Sequence, residues 1–210
     1  DTIATFDLSA STTVPIWDVL NQMDDGLFRS DKNNNPVPAL AKKTVKSNGG
    51  KRYTFYLKTA KWSNGDDVTA EDFVTAWRKG VAPTALSGYS YIYQGIKNAT
   101  AIQNGKKKPE TLGVKAVGKH KLVVDLEYPI STFTKKLTMT SFLPQNTKLV
   151  KKYGKKYGTS MKTFASNGAF KLGSWKTGSN TWTLVKNPNY YAKSEVKLLK
   201  LPTPKRTMKP

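Results

Sequence analysis

The stretch Ala60-Lys-Trp-Ser-Asn-Gly-Asp-Asp-Val-Thr-Ala-Glu-Asp-Phe-Val-Thr-Ala-Trp-Arg78 divides into a turn followed by a helix. Ser63, Asn64, Gly65 and Asp66 are turn formers, because short polar side chains bond the local backbone and glycine supplies positive φ. Thr69 stands where a helix needs an N-cap. Glu71 and Asp72 follow in the first turn, where the helix dipole favours acids, and Phe73, Val74 and Trp77 share one face. The acid pairs Asp66-Asp67 and Glu71-Asp72 could serve as general acid and base. Turn and cap roles account for them without any chemistry.

Outward from this stretch, strands and helices mix without regular βαβ alternation, so the class is α+β. Arg52-Tyr-Thr-Phe-Tyr-Leu57 reads as a strand. Residues 15–25 read as a helix, with Ile16, Val19, Leu20, Met23 and Leu27 on one face. Residues 114–117 and 121–126 form a hairpin through Gly118-Lys119-His120, which puts the single histidine in a solvated turn. A second hairpin joins residues 170–175 to 181–186, and a last strand covers 196–201. Between Gly80 and Asn104 the pattern is loose, with Tyr89, Tyr91 and Tyr93 alternating; these rings either pack in the core or line a ligand groove. Residues 147–157 read as a basic helix with Lys148, Lys151, Lys152, Lys155 and Lys156 opposite a stripe of Leu149, Val150, Tyr153 and Tyr157. The lysines form an anion-binding face, or the helix packs on a core with its lysines in water.

Composition narrows the chemistry. The 210 residues carry 35 Lys plus Arg against 14 Asp plus Glu, a formal charge of +21 that favours anionic partners. At 38% hydrophobic and 11% aromatic, the chain is too rich in core formers for a disordered basic tail. With no cysteine and one histidine, thiolate zinc sites, a thiol nucleophile and a multi-histidine metal site are excluded. Asp31, Asn33 and Asn35 superficially suggest a calcium loop, but Pro36 replaces the required glycine and Lys42 the bidentate glutamate. No metal or other cofactor is expected. No serine-hydrolase elbow, zincin or P-loop motif occurs, and nucleic-acid binding would rest on charge alone. No run of about 20 apolar residues could cross a bilayer. The start at Asp1, without Met, reads as a mature or trimmed product.

The quoted stretch closely resembles the internal signature of the oligopeptide-binding, OppA-like family of extracellular solute-binding proteins that feed ABC importers. Further segments match in order: Met23-Asp-Asp-Gly-Leu-Phe-Arg-Ser-Asp31 with Pro38-Ala-Leu-Ala41, Leu112-Gly-Val-Lys-Ala-Val117, and Ser166-Asn-Gly-Ala-Phe-Lys-Leu172 through Lys186-Asn-Pro-Asn-Tyr-Tyr191. The resemblance implies two lobes that close over an extended peptide, no enzymatic step, and a lipid-anchored protein at the bacterial cell surface that serves an ABC permease. It implies peptide contacts at Thr12, Thr13 and Val14, taken as an extended segment, and at Tyr89. Family members are much longer, so the resemblance implies a partial first lobe (residues 1–24 and 146–210), an accessory mixed α/β subdomain (residues 25–145), an absent second lobe, and weak peptide binding. A second reading takes the chain as a cationic cell-surface adhesin that holds mucin, glycosaminoglycan or wall polyanions through its lysines.

Overall fold

The computed structural model describes residues 2–10, 14–86, 88–197 and 200–201. The helix expected at 15–25 is α1, Val14–Met23. It buries Ile16, Val19, Leu20 and Met23 as the periodicity predicts. Leu27, placed on the same stripe, lies beyond the helix and packs in a different cluster.

A two-stranded hairpin follows, β1 (Phe28–Ser30) against β2 (Pro36–Pro38). Its turn is held by Asp31, whose Oδ1 accepts from the Asn33 and Asn35 amides at 2.8 and 2.9 Å. The main sheet has the order β3-β4-β6-β5, all antiparallel: β3 Ala41–Ser47, β4 Arg52–Leu57, β5 Val114–Ala116 and β6 Lys121–Asp125. Strand β4 and the β5/β6 hairpin fall where the sequence puts them. The helix α2, Ala70–Val81, lies against β5 and β6. It opens with a capping box in which Thr69 and Asp72 satisfy each other's backbone amides. Asp72 is buried and also accepts from Trp62 Nε1 at 3.0 Å and from the Thr147 amide at 2.9 Å. Burial raises its pKa, against the lowering effect of those bonds.

Short helices α3 (Ala99–Gln103) and α4 (Phe133–Lys136) complete this part. Among the described residues, thirty buried ones, from Leu27 to Phe142 together with Ala165, make one core around α2 and the main sheet. Ile3, Phe6, the α1 stripe, Leu143, Phe170, Leu172 and Leu184 make a second core. This second core lies under an antiparallel sheet of β7 (Phe170–Trp175), β8 (Trp182–Lys186) and β9 (Lys200–Leu201). The strand expected at 196–201 is described only for Lys200–Leu201; residues 198–199 lie outside the described residues.

The basic helix is shorter than expected. It is α5, Thr147–Tyr153, and it stops because Gly154 adopts φ 52° and a 3₁₀ turn, Gly154–Lys156, follows. Tyr157 therefore leaves the helical stripe, although it is fully buried.

A buried polar knot links the two cores. The Asn167 side chain accepts from the Asp25 amide at 2.7 Å and donates to the Asp25 carbonyl at 3.1 Å, while its own amide donates to Asp24 Oδ1 at 2.9 Å. Gly168 donates to the Met23 carbonyl at 2.6 Å, and a Cβ at 168 would sit 2.6 Å from that same oxygen. Only glycine allows this approach. Desolvation pushes the Asp24 carboxyl well above the ordinary range, the Asn167 amide pulls it down, and neighbouring Asp25 adds to the rise.

Candidate functional site

Of the four residues marked as peptide contacts, Thr12 and Thr13 lie outside the described residues. Val14 is the first residue of α1, so its backbone is helical and not extended as expected. Tyr89 is half-buried and begins a 3₁₀ turn, Ser90–Tyr93. That turn breaks the alternation of the three tyrosines. Tyr93 goes inward and donates to the Ser141 carbonyl at 2.6 Å, its pKa raised by burial, whereas Tyr91 is 57% exposed.

Two sets of contacts hold the chain on either side of residues 11–13. On the N-terminal side, buried Asp7 accepts from the Ser9 amide and hydroxyl at 3.0 and 2.8 Å and from Gln145 Nε2 at 3.1 Å, and forms an ion pair with Lys79 of α2. The Ser9 carbonyl accepts from the Leu86 amide at 2.8 Å, which ties this segment to the loop before Tyr89. On the other side, Trp17 of α1 meets Tyr89 edge-on, with centroids 4.5 Å apart. Tyr89 is also 6.3 Å from Tyr91, and Leu86 is 74% exposed nearby in sequence. The start of α1 and Tyr89 therefore belong to one aromatic edge, in which Trp17 was not anticipated. A signal existed: Trp17 is an aromatic off the apolar stripe of an amphipathic helix. Flat apolar rings with polar tips suit contact with a ligand that is itself part apolar and part backbone. Two shallow clefts, of about 220 Å³ (Ser63, Met161, Phe164, Leu172) and about 270 Å³ (Asn48, Lys97, Glu127), share no lining residue with this edge.

The five lysines marked for polyanion binding are divided between α5 and the turn after it. Lys148 pairs with Asp66, and that hydrogen bond raises its pKa. Lys151 and Lys152 are exposed on α5, Lys152 lying 5.3 Å from the centre of the Tyr153 ring, while Lys155 and Lys156 lie beyond the Gly154 break. Asp66 and Asp67, the acid pair in the turn, are bound to Lys148 and to Lys61 and Lys119 respectively, and each carboxyl is held below its ordinary pKa chiefly by its lysine hydrogen bond. His120 sits in the β5/β6 turn and its carbonyl accepts from the Leu57 amide at 2.8 Å. No cluster of three or more His, Asp or Glu suited to a metal occurs among the described residues, and none of their helices is long and apolar enough to cross a membrane.

The profile of bacterial extracellular solute-binding proteins, family 5 (middle section), matches residues 35–201. The chain is 40% identical over 199 residues to the dipeptide-binding protein of Lactococcus lactis subsp. cremoris, covering 93% of this chain and 36% of that protein. Listeria monocytogenes OppA bound to peptide superposes with a TM-score of 0.89 at 38% identity, covering 94% of this chain and 39% of that one. The substrate-binding domain of an oligopeptide ABC transporter from Bacillus anthracis str. Ames gives a TM-score of 0.89 at 44% identity, with 95% and 38% covered. The chain thus spans about a third of the length of the curated relatives it matches. Its fold is that of part of a periplasmic-binding-protein-like molecule, and its relatives are named as binding proteins, not enzymes. The chain belongs to the bacterial extracellular solute-binding proteins of family 5.

Proposed function

We propose that these residues are part of the substrate-binding component of an ABC importer for oligopeptides, and that they capture extended peptides without chemistry. The observation that carries this reading is the likeness, over 94% of the chain, to a Listeria protein described as bound to peptide. The aromatic edge of Trp17, Tyr89 and Tyr91 beside the start of α1 supports placing the peptide there, against Thr12, Thr13, Val14 and Tyr89. An extended peptide pairs its backbone with protein backbone, which gives affinity with little dependence on sequence. The two hydrophobic cores support a division into part of a first lobe (residues 1–24 and 146–210) and an accessory subdomain (residues 25–145), with Ala165 and Leu143 crossing between them.

A peptide held on one side keeps its other side in water, and the binding-site desolvation that strengthens its hydrogen bonds is incomplete. Calorimetry of the 210-residue chain with a mixture of four- to eight-residue peptides is therefore expected to give a dissociation constant on the order of 0.1–1 mM. Tyr89→Ala is expected to weaken it about fivefold or more, with unchanged melting. Absence of saturable binding at millimolar peptide contradicts peptide capture by these residues. Submicromolar binding contradicts the one-sided site.

A further inference from the structure

We propose that the outer face of the four-stranded sheet is a docking surface for a linear anionic polysaccharide of the cell envelope. This surface is independent of the peptide site.

The face follows from strand register. Residues directly opposite each other in an antiparallel pair point to the same side. Tyr53, Phe55, Leu57, Leu122, Val124 and Val114 are buried and face the core around α2. The opposite side carries three rows: Lys43, Tyr56 and Lys121; then Val45, Thr54, Val123 and Lys115, of which Val123 is itself buried beneath its neighbours; then Ser47, Arg52 and Asp125. Tyr56 is 39% exposed, and Val45 and Val117 at the margins are 37% and 42% exposed. Lys43 Nζ lies 5.7 Å from the Tyr56 ring centre. Strands are spaced about 4.8 Å apart, so Lys43 and Lys121 flank Tyr56 across about 10 Å.

The charge on this face is one-signed once its own pairs are removed. Asp125 is held by Arg52 through bonds of 2.6 and 3.0 Å. Asp67, near the hairpin end, is held by Lys61 at 2.9 Å and by Lys119 at 3.5 Å. Among the described residues, Lys43, Lys115 and Lys121 make no ion pair. An exposed aromatic ring between uncompensated ammonium groups complements a polymer that offers the apolar face of a sugar ring and a regular series of anionic groups. The polymer is assigned to the envelope because the family is extracellular.

Binding to immobilised heparin, to poly-L-glutamate, to a single-stranded oligonucleotide and to vesicles of anionic phospholipid tests this, using two triple variants that remove equal charge. Lys43→Gln with Lys115→Gln and Lys121→Gln is expected to weaken heparin binding at least about tenfold near 0.15 M salt. Lys151→Gln with Lys152→Gln and Lys155→Gln is expected to cost less than about twofold. Tyr56→Ala is expected to weaken heparin binding about threefold and leave polyglutamate binding unchanged, because only the sugar uses the ring. Circular dichroism and melting of every variant should match the parent chain, since all substituted side chains are on the surface. Equal losses in the two triples would show net charge without a site and overturn the proposal. Tighter binding to the oligonucleotide or the vesicles than to heparin would overturn its assignment to polysaccharide.

Discussion

Replacing Asp25 with alanine is expected to lower the unfolding free energy by about 2–4 kcal/mol in urea titration at neutral pH. The Asp25 side chain is fully buried. Its Oδ2 accepts from the Tyr190 and Tyr191 hydroxyls at 2.9 and 2.8 Å, and its Oδ1 pairs with Arg29. Removing the carboxylate leaves two largely buried hydroxyls without their acceptor. Arg29 is 45% exposed and can rehydrate, so most of the cost falls on the tyrosines. Burial, reinforced by the negative charge of Asp25, pushes the Tyr190 pKa up to about 12, so the hydroxyl stays a donor at neutral pH. Asp25→Asn keeps the shape and one acceptor oxygen and should lose less. A loss below about 0.5 kcal/mol for the alanine variant would show that the knot between the cores contributes little.

Trp77→Ala should cost more, about 3–5 kcal/mol, the range for deleting a large buried aromatic. Trp77 is fully buried, meets Phe73 and Phe142 edge-on with centroids at 6.2 and 5.1 Å, and donates from Nε1 to the Phe142 carbonyl at 3.0 Å. The substitution leaves a cavity under α2 and strands that carbonyl. Trp77→Phe, which keeps most of the volume and loses only the indole N–H, should recover more than half of the stability. An alanine variant with an unchanged urea midpoint would contradict the placement of α2 at the centre of the larger core.

What was legible in the sequence was local. The turn at 63–66, the Thr69 cap and α2 rest on partners a few residues apart, and β4 on its own alternation of side chains although it pairs with distant β6; each falls where the pattern puts it. Strand β3 was missed because it is an edge: only Ala41 is buried, and its lysines, which guard an open edge against further pairing, erase the alternation that marks a strand. The end of α5 was readable at Gly154, but the lysine periodicity ran through it. The motifs that marked the family, Asp24-Asp25-Gly26, Ser166-Asn167-Gly168 and Asn187-Pro188-Asn189-Tyr190-Tyr191, contribute residues to one buried knot. Its bonds join residues 142 to 166 positions apart, a separation no local periodicity reveals. For the candidate site, the alternation of Tyr89, Tyr91 and Tyr93 left core and groove open, and only the resemblance singled out Tyr89 as a peptide contact. Trp17 was readable as an off-face aromatic, yet its partnership with Tyr89 depends on tertiary packing across 72 residues.

The central claim is that peptide binds at the aromatic edge beside the start of α1. Amide and indole chemical shifts of the isotope-labelled 210-residue chain, followed by NMR during titration with a mixture of four- to eight-residue peptides, test it most directly. The account predicts saturable, fast-exchange shifts concentrated at residues 9–17 and 86–91, including the Trp17 indole, with the outer face of the main sheet unmoved. Shifts centred elsewhere, or none at millimolar peptide, would contradict it.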